Sequence, residues 1–161
     1  MKKIVLIAAM ALGFVVTAVA ANPIEKKVGG QSRAIGLRGG FGAGVSYQHT
    51  VGANFIDAEL GFGQGLNVAA SYNWVLVQPQ WTSRGDWGVY AGPGVALGLG
   101  FGDASHLNLG VSAQVGLEYS FWVPLQLSLD VRPGLGFVTA GGASGFGFWG
   151  FYPALGVRYK F

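Results

Sequence analysis

Apolar residues return at every second position along most of this chain, in segments of about ten residues separated by turn signals. The last segment, Tyr152–Phe161, is the clearest. Pro153, Leu155, Val157, Tyr159 and Phe161 share one parity, and Ala154, Gly156, Arg158 and Lys160 the other. A period of two belongs to a β-strand with two unlike faces. Ala34–Gly42 sets Ile35, Leu37 and Phe41 against Gly36, Arg38 and Gly40; Val45–His49 sets Val45 and Tyr47 against Ser46 and Gln48. Asn54–Phe62 opposes Ile56, Ala58, Leu60 and Phe62 to Asp57 and Glu59, and Leu66–Val77 opposes Val68, Ala70, Tyr72, Trp74 and Leu76 to Asn67, Ser71 and Asn73. Gly88–Leu99, Leu107–Phe121 and Leu125–Gly136 repeat the pattern, with Tyr90, Gln114, Glu118, Gln126, Ser128, Asp130 and Arg132 on the polar side. That makes eight predicted strands. No helix is predicted, because glycine interrupts every window and costs a helix interior roughly 1 kcal/mol each time.

Eight alternating segments of this length are the signature of an outer-membrane barrel. Beyond the first twenty residues no apolar run reaches the ~18–20 residues of a spanning helix, so strands are the remaining way across a bilayer. The ionisable residues decide which face is which. Arg38, Asp57, Glu59, Glu118, Asp130, Arg132, Arg158 and Lys160 all lie on the minority face. Slipping the register by one residue would turn all of them to lipid, at about 2–4 kcal/mol for each midplane Arg or Lys and on the order of 10 kcal/mol in total. The expected architecture is a closed, eight-stranded, antiparallel up-and-down transmembrane β-barrel with greasy side chains outside. Four cations and four anions in a lumen this narrow must pair to offset desolvation. They are expected to form one layer of salt bridges in the lower half, with glycines opposite making room, and to close the barrel to solutes. Trp74, Trp81, Trp87 and Trp122 gather at the end that carries both termini, as an interfacial aromatic girdle would, with Trp149 as its counterpart at the far end.

Composition narrows the picture. Glycine occurs 29 times in 161 residues, but 14% aromatics argue against disorder. The absence of cysteine excludes disulfides and thiolate chemistry. Lys2 and Lys3 precede the apolar run Ile4–Val16, and Ala18-Val19-Ala20 has the small residues of a signal-peptidase site. Residues 1–20 are therefore read as a cleaved signal peptide, cut after Ala20 or Ala21; 21–32 as a flexible periplasmic leader; and 33–161 as the barrel. Removing Lys2 and Lys3 leaves eight basic against seven acidic residues, too even a balance for a nucleic-acid footprint.

Several pieces, in order, resemble the small outer-membrane β-barrel proteins of Bacteroidetes-type bacteria: Ile35-Gly36-Leu37-Arg38-Gly39-Gly40-Phe41, Val45-Ser46-Tyr47-Gln48-His49, Ala58-Glu59-Leu60, Tyr90-Ala91-Gly92-Pro93-Gly94, Val115-Gly116-Leu117-Glu118-Tyr119, and Pro124 to Pro133 with Ser128-Leu129-Asp130. The resemblance covers most of Arg33–Phe161. It implies an OmpA-like eight-stranded barrel of the Gram-negative cell envelope with no assigned activity. The ending, through Val157, Tyr159 and Phe161, resembles the sorting signal read by the barrel-assembly machinery, which would be a partner during insertion. The chain departs from the pattern at Ser83–Trp87 and Ala140–Gly150, and no C-terminal peptidoglycan-binding domain is expected.

Signals for specific chemistry are thin. Gly145, Gly147 and Gly150 match G-x-G-x-x-G, but a strand follows where dinucleotide binding needs a helix. Asp103, Ser105 and His106 share one predicted outer loop and Ser144 another, a set that lipid-modifying barrel enzymes would use at their rim. His49 falls at the opposite end, so no His-based metal site is expected. Leu99–His106 and Phe137–Trp149 are the longest expected outer loops and the places for a partner. The reading is a monomeric outer-membrane barrel surrounded by lipid, with a structural or interaction role, no catalysis and no cofactor. The alternative is a soluble secreted barrel that binds an apolar ligand, lipocalin-like, which would carry Arg158, Asp130 and Glu118 on its outer wall.

Overall fold

The structure is a computed structural model that describes residues 31–40, 42–63, 65–101, 105–140 and 142–161. The expected signal peptide and nearly all of the leader lie outside the described residues, as does Asp103. The described chain folds into β1 (Arg33–Gly39), β2 (Ala43–Val51), β3 (Asn54–Phe62), β4 (Leu66–Val77), β5 (Asp86–Leu99), β6 (His106–Ser120), β7 (Leu125–Val131), β8 (Gly134–Ala140), β9 (Ala143–Trp149) and β10 (Pro153–Lys160).

Ten segments make eight strands. β6 opposes β7 and then β8 in one register, with Val115 facing Val131 and Ser112 facing Gly134. Only Arg132 and Pro133 interrupt this run. Proline has no N–H to give the ladder, yet its carbonyl still accepts from Ala113 N at 2.9 Å. β9 and β10 are likewise halves of one strand, bent at a bulge. Between the pairs Trp149–Gly134 and Pro153–Val131, the three residues Gly150, Phe151 and Tyr152 stand against two. Gly150 absorbs the bend with φ of +76°. β5 pairs with β6 and β10 with both β7 and β1, so the sheet closes into an antiparallel ring.

The ring is inside out relative to a water-soluble barrel. Leu37, Val95, Val111, Leu155 and Tyr159 are more than half exposed on the outer wall. Inside, Ser46, Asp57, Asn73 and Gln114 are completely buried. The parity read from the sequence holds along the strands it was read for, except at the end of β4, where a bulge between Val75 and Val77 turns Val77 outward.

Two expectations need correction. Phe137–Trp149 is not an outer loop but part of the β8–β9 hairpin, which prolongs two strands beyond the ring. The walls are consequently uneven. β1 ends at Gly39, opposite Leu155, whereas β5 and β6 stay paired as far as Leu99 and Leu107. Above Leu155, among the described residues, β9 pairs with β8 alone. Trp149, expected in an outer girdle, faces inward across Gly134, where even a Cβ would collide with the indole. The bulge at Gly150 is the reason, since one extra residue reverses parity between β9 and β10.

Candidate functional site

The lumen is the candidate site, and its chemistry follows from the inward parity of each strand. β3 delivers Asp57 and Glu59, β1 delivers Arg38, β7 and its extension deliver Asp130 and Arg132, and β10 delivers Arg158. Arg158 is 2% exposed and uses its whole fork. Its Nη2 donates to Asp57 Oδ2 at 3.0 Å, Nε to Ser46 Oγ at 2.8 Å and Nη1 to Ser128 Oγ at 2.9 Å. Arg132 bridges Glu59 at 2.8 Å and Asp57 at 3.4 Å. Arg38 pairs with Glu59 at 3.1 Å and, through Nη2, with Asp130. Three guanidinium groups thus interlock with three carboxylates. Forked donors suit this role, because each can meet two acceptors in a fixed plane.

Neutral side chains complete the network. Gln114 Nε2 donates to Asp57 Oδ2 at 3.0 Å, while its Oε1 accepts from Ser71 at 2.5 Å and Asn73 at 3.0 Å. Tyr90 OH donates to Asp130 Oδ2 at 3.2 Å. Glu118 accepts from Gln126 at 2.7 Å and from Gln48 at 3.2 Å. Gly116 makes room for two of these groups: a Cβ there would lie 2.5 Å from Asp130 Cβ and 2.6 Å from Tyr90 Cζ. The sequence put all these polar residues on the inward face, so they were legible as lining. It did not identify Phe55 and Val75, which are buried with Tyr90 in a small apolar core, the Phe55 and Tyr90 rings meeting edge to face at 5.0 Å.

The charges do not form the single layer expected. Glu118 lies two pairs above the foot of β6, whereas Arg38 is the last residue but one of β1. The cluster therefore climbs obliquely through the lumen, since strand stagger in a tilted barrel decouples residue count from depth. Lys160, opposite Ala34, stands at the basal rim.

At that basal end the aromatic rings are joined. Trp81 contacts Trp87 at 5.3 Å, Trp87 contacts Tyr119 at 4.7 Å, Tyr119 contacts Phe121 at 4.6 Å, and Phe121 contacts Trp122 at 5.9 Å. Arg84 caps Trp122 at 5.8 Å, and Trp74 meets Tyr72 edge to face at 5.8 Å. Val157, Tyr159 and Phe161 line the outer wall of β10 and its terminus, each about half exposed.

At the far end, a cavity of about 290 Å³ sits on top of the ion pairs. Arg38, Glu59 and Arg132 are its charged lining, with Asn67, Asn108, His106, Trp149 and Tyr152 around it. Ser105 and Ser144 are exposed, and Ser144 lies on the outward side of β9 while His106 lines the cavity. A nucleophile and base on opposite sides of a wall do not make a catalytic pair. His49 is near the other end, stacked on Tyr47. Gly145 and Gly147 are on β9, with strand β10 after Gly150, so the G-x-G-x-x-G spacing has no helix to serve. Compared with protein families, with curated proteins and with solved structures, the chain matches none.

Proposed function

We propose that this chain is an integral outer-membrane protein of a Gram-negative bacterium, of the small OmpA-like kind, with a structural or interaction role. One observation carries the proposal: leucine, valine, isoleucine and aromatic side chains cover the outer wall, while arginine, aspartate, glutamine and serine fill the interior. In hydrocarbon every backbone amide needs an internal partner, and a closed ring supplies one. In water the same outer wall would be an apolar surface far larger than the few hundred Å² that soluble monomers commonly expose. A soluble lipocalin-like carrier asks for the reverse polarity and an apolar lumen. The basal aromatic chain fits an interfacial girdle, with membrane lipid as the main partner. The terminal Val157, Tyr159 and Phe161 fit recognition by the barrel-assembly machinery, following export through a cleaved signal peptide. The protein acts as a monomer without catalysis or cofactor, and its interlocked arginines and carboxylates close the barrel to solutes.

Fractionation tests this reading. The protein is expected in the outer-membrane fraction, running at a different gel mobility unheated than boiled. A soluble periplasmic band without that mobility change would refute it.

A further inference from the structure

We propose that the far-end cavity is a binding site for a single-chain anionic amphiphile, with its oxyacid head held in the lumen and its acyl chain leaving sideways over the short wall. The inference rests on the membrane reading above and deepens it by naming a ligand class. Four observations lead to it.

The cavity has a built polar floor. Arg38 and Arg132 are 5% and 10% exposed in their side chains, and both converge on the same oxygen of Glu59, at 3.1 and 2.8 Å. Arg38 Nη1 is ion-paired with Glu59 at 3.1 Å but makes no aligned hydrogen bond to it, and among the described residues Arg132 Nε has no acceptor. A buried charged donor without an acceptor is costly, so an incoming oxyanion would gain by accepting from Arg132 and aligning with Arg38. Asn67 and Asn108 extend the polar lining on the tall side.

Size sets the second constraint. Pockets that enclose whole small ligands run from about 300 Å³ upward, and this one holds about 290 Å³. It can take a head and the first few carbons of an acyl chain, not a complete lipid. The rest must leave the lumen.

The third observation is where it can leave. On its short side, among the described residues, the cavity is lined by Gly39, Gly40, Gly42 and Ala43 of the β1–β2 connection and by Trp149, Gly150, Tyr152 and Ala154. Above the seam between β1 and β10 the β9 edge has no strand partner among the described residues, and over seven residues at ~3.3 Å each it spans roughly 23 Å. Toward the other end the lumen is filled, and Asp57, Asn73 and Gln114 have no accessible surface.

The last observation is what lies outside the exit. Leu37, Phe148, Phe151 and Leu155 are 61–71% exposed there, a greasy track leading from the seam down the outer wall. A charged floor, a low wall where β1 ends at Gly39 and an apolar track in sequence match the parts of one amphiphile.

The test uses the mature protein in nanodiscs of a zwitterionic phospholipid, titrated with a fatty acid brominated near its carboxyl group. The expected result is saturable quenching of an emission component that W149F removes, reversed by unbrominated fatty acid. R132Q should weaken this binding by about tenfold or more, the loss of one charged hydrogen bond. A96L, which narrows the cavity without touching the ion pairs, should weaken it too and keeps the test valid if R132Q misfolds. Saturable quenching by a single-chain alkyl phosphate brominated near its head instead would assign the oxyacid as phosphate rather than carboxylate and still support the site. Quenching that grows linearly with probe and ignores A96L would overturn it. Brominating the bulk phospholipid separates the two readings. If the bulk lipid quenches Trp81 and Trp122 but no saturable Trp149 component exists, this proposal alone fails; if the bulk lipid quenches neither, the membrane reading fails and takes the proposal with it.

Discussion

Replacing Arg158 with methionine removes the cation with the most partners in the lumen while roughly keeping its volume. Three contacts go at once: the ion pair to Asp57 at 3.0 Å and the hydrogen bonds to Ser46 and Ser128 at 2.8 and 2.9 Å. At 2% exposure no water is at hand to replace them. An exposed pair would contribute at most about 1 kcal/mol, whereas breaking a buried pair from one side costs about 3–5 kcal/mol because the partner charge is left behind. Asp57 keeps Gln114 at 3.0 Å and Arg132 at 3.4 Å, so the lower half of that range is expected. With a urea slope of roughly 2 kcal/mol per molar, the unfolding midpoint should fall by about 1.5–2 M. The assay is equilibrium urea unfolding in lipid vesicles, followed by tryptophan emission and by unheated gel mobility. The double variant R158M/D57L should lose less than the two single losses added together, with a coupling of about 1–3 kcal/mol. A midpoint shift below roughly 0.3 M, or strict additivity, would refute the interlocked network.

Other consequences are equally open to measurement. Leu129→Arg places a guanidinium on the outer wall, where it should cost about 2–4 kcal/mol in vesicles; an unchanged urea midpoint would contradict a lipid-facing wall. Gly116→Val forces a side chain into the space of Tyr90 and Asp130 and should cost about 1–3 kcal/mol, whereas unaltered stability would mean the glycine is not needed as a seat. Single-channel recording in planar bilayers should give no steady conductance from the intact protein. A reproducible ohmic current would show that the charge cluster does not close the lumen.

How much of this was legible in the sequence depended on contrast between neighbouring positions. Along β10, Leu155, Val157 and Tyr159 alternate with Gly156, Arg158 and Lys160, so facing and register could be read directly. Of the eight charges named from the sequence as one inward set, Arg38, Asp57, Glu59, Asp130, Arg132 and Arg158 interlock, while Glu118 meets Gln48 and Gln126 and Lys160 stands at the rim. Their depth could not be read, because strand stagger shifts Arg38 and Glu118 to different levels although each is a few residues from a strand end. The β8–β9 hairpin was hidden for another reason. Gly134, Gly136, Gly145 and Gly147 fill inward positions with no side chain to signal a face, and the bulge at Gly150 shifts Phe146 and Phe148 out of parity with Leu155 and Val157. The same reversal turned Trp149 inward, and with it the far cavity acquired a wall that no alternation pattern announces.

The most direct test of the account is nitroxide scanning of β10, one spin label at a time from Ala154 to Lys160, in reconstituted vesicles. Collision with oxygen, which concentrates in hydrocarbon, should be high at Leu155, Val157 and Tyr159 and low at Gly156 and Arg158, with a period of two. High access of a water-soluble paramagnetic reagent at Leu155 and Val157, or loss of the period, would contradict a barrel that turns its apolar wall to lipid and its charges inward.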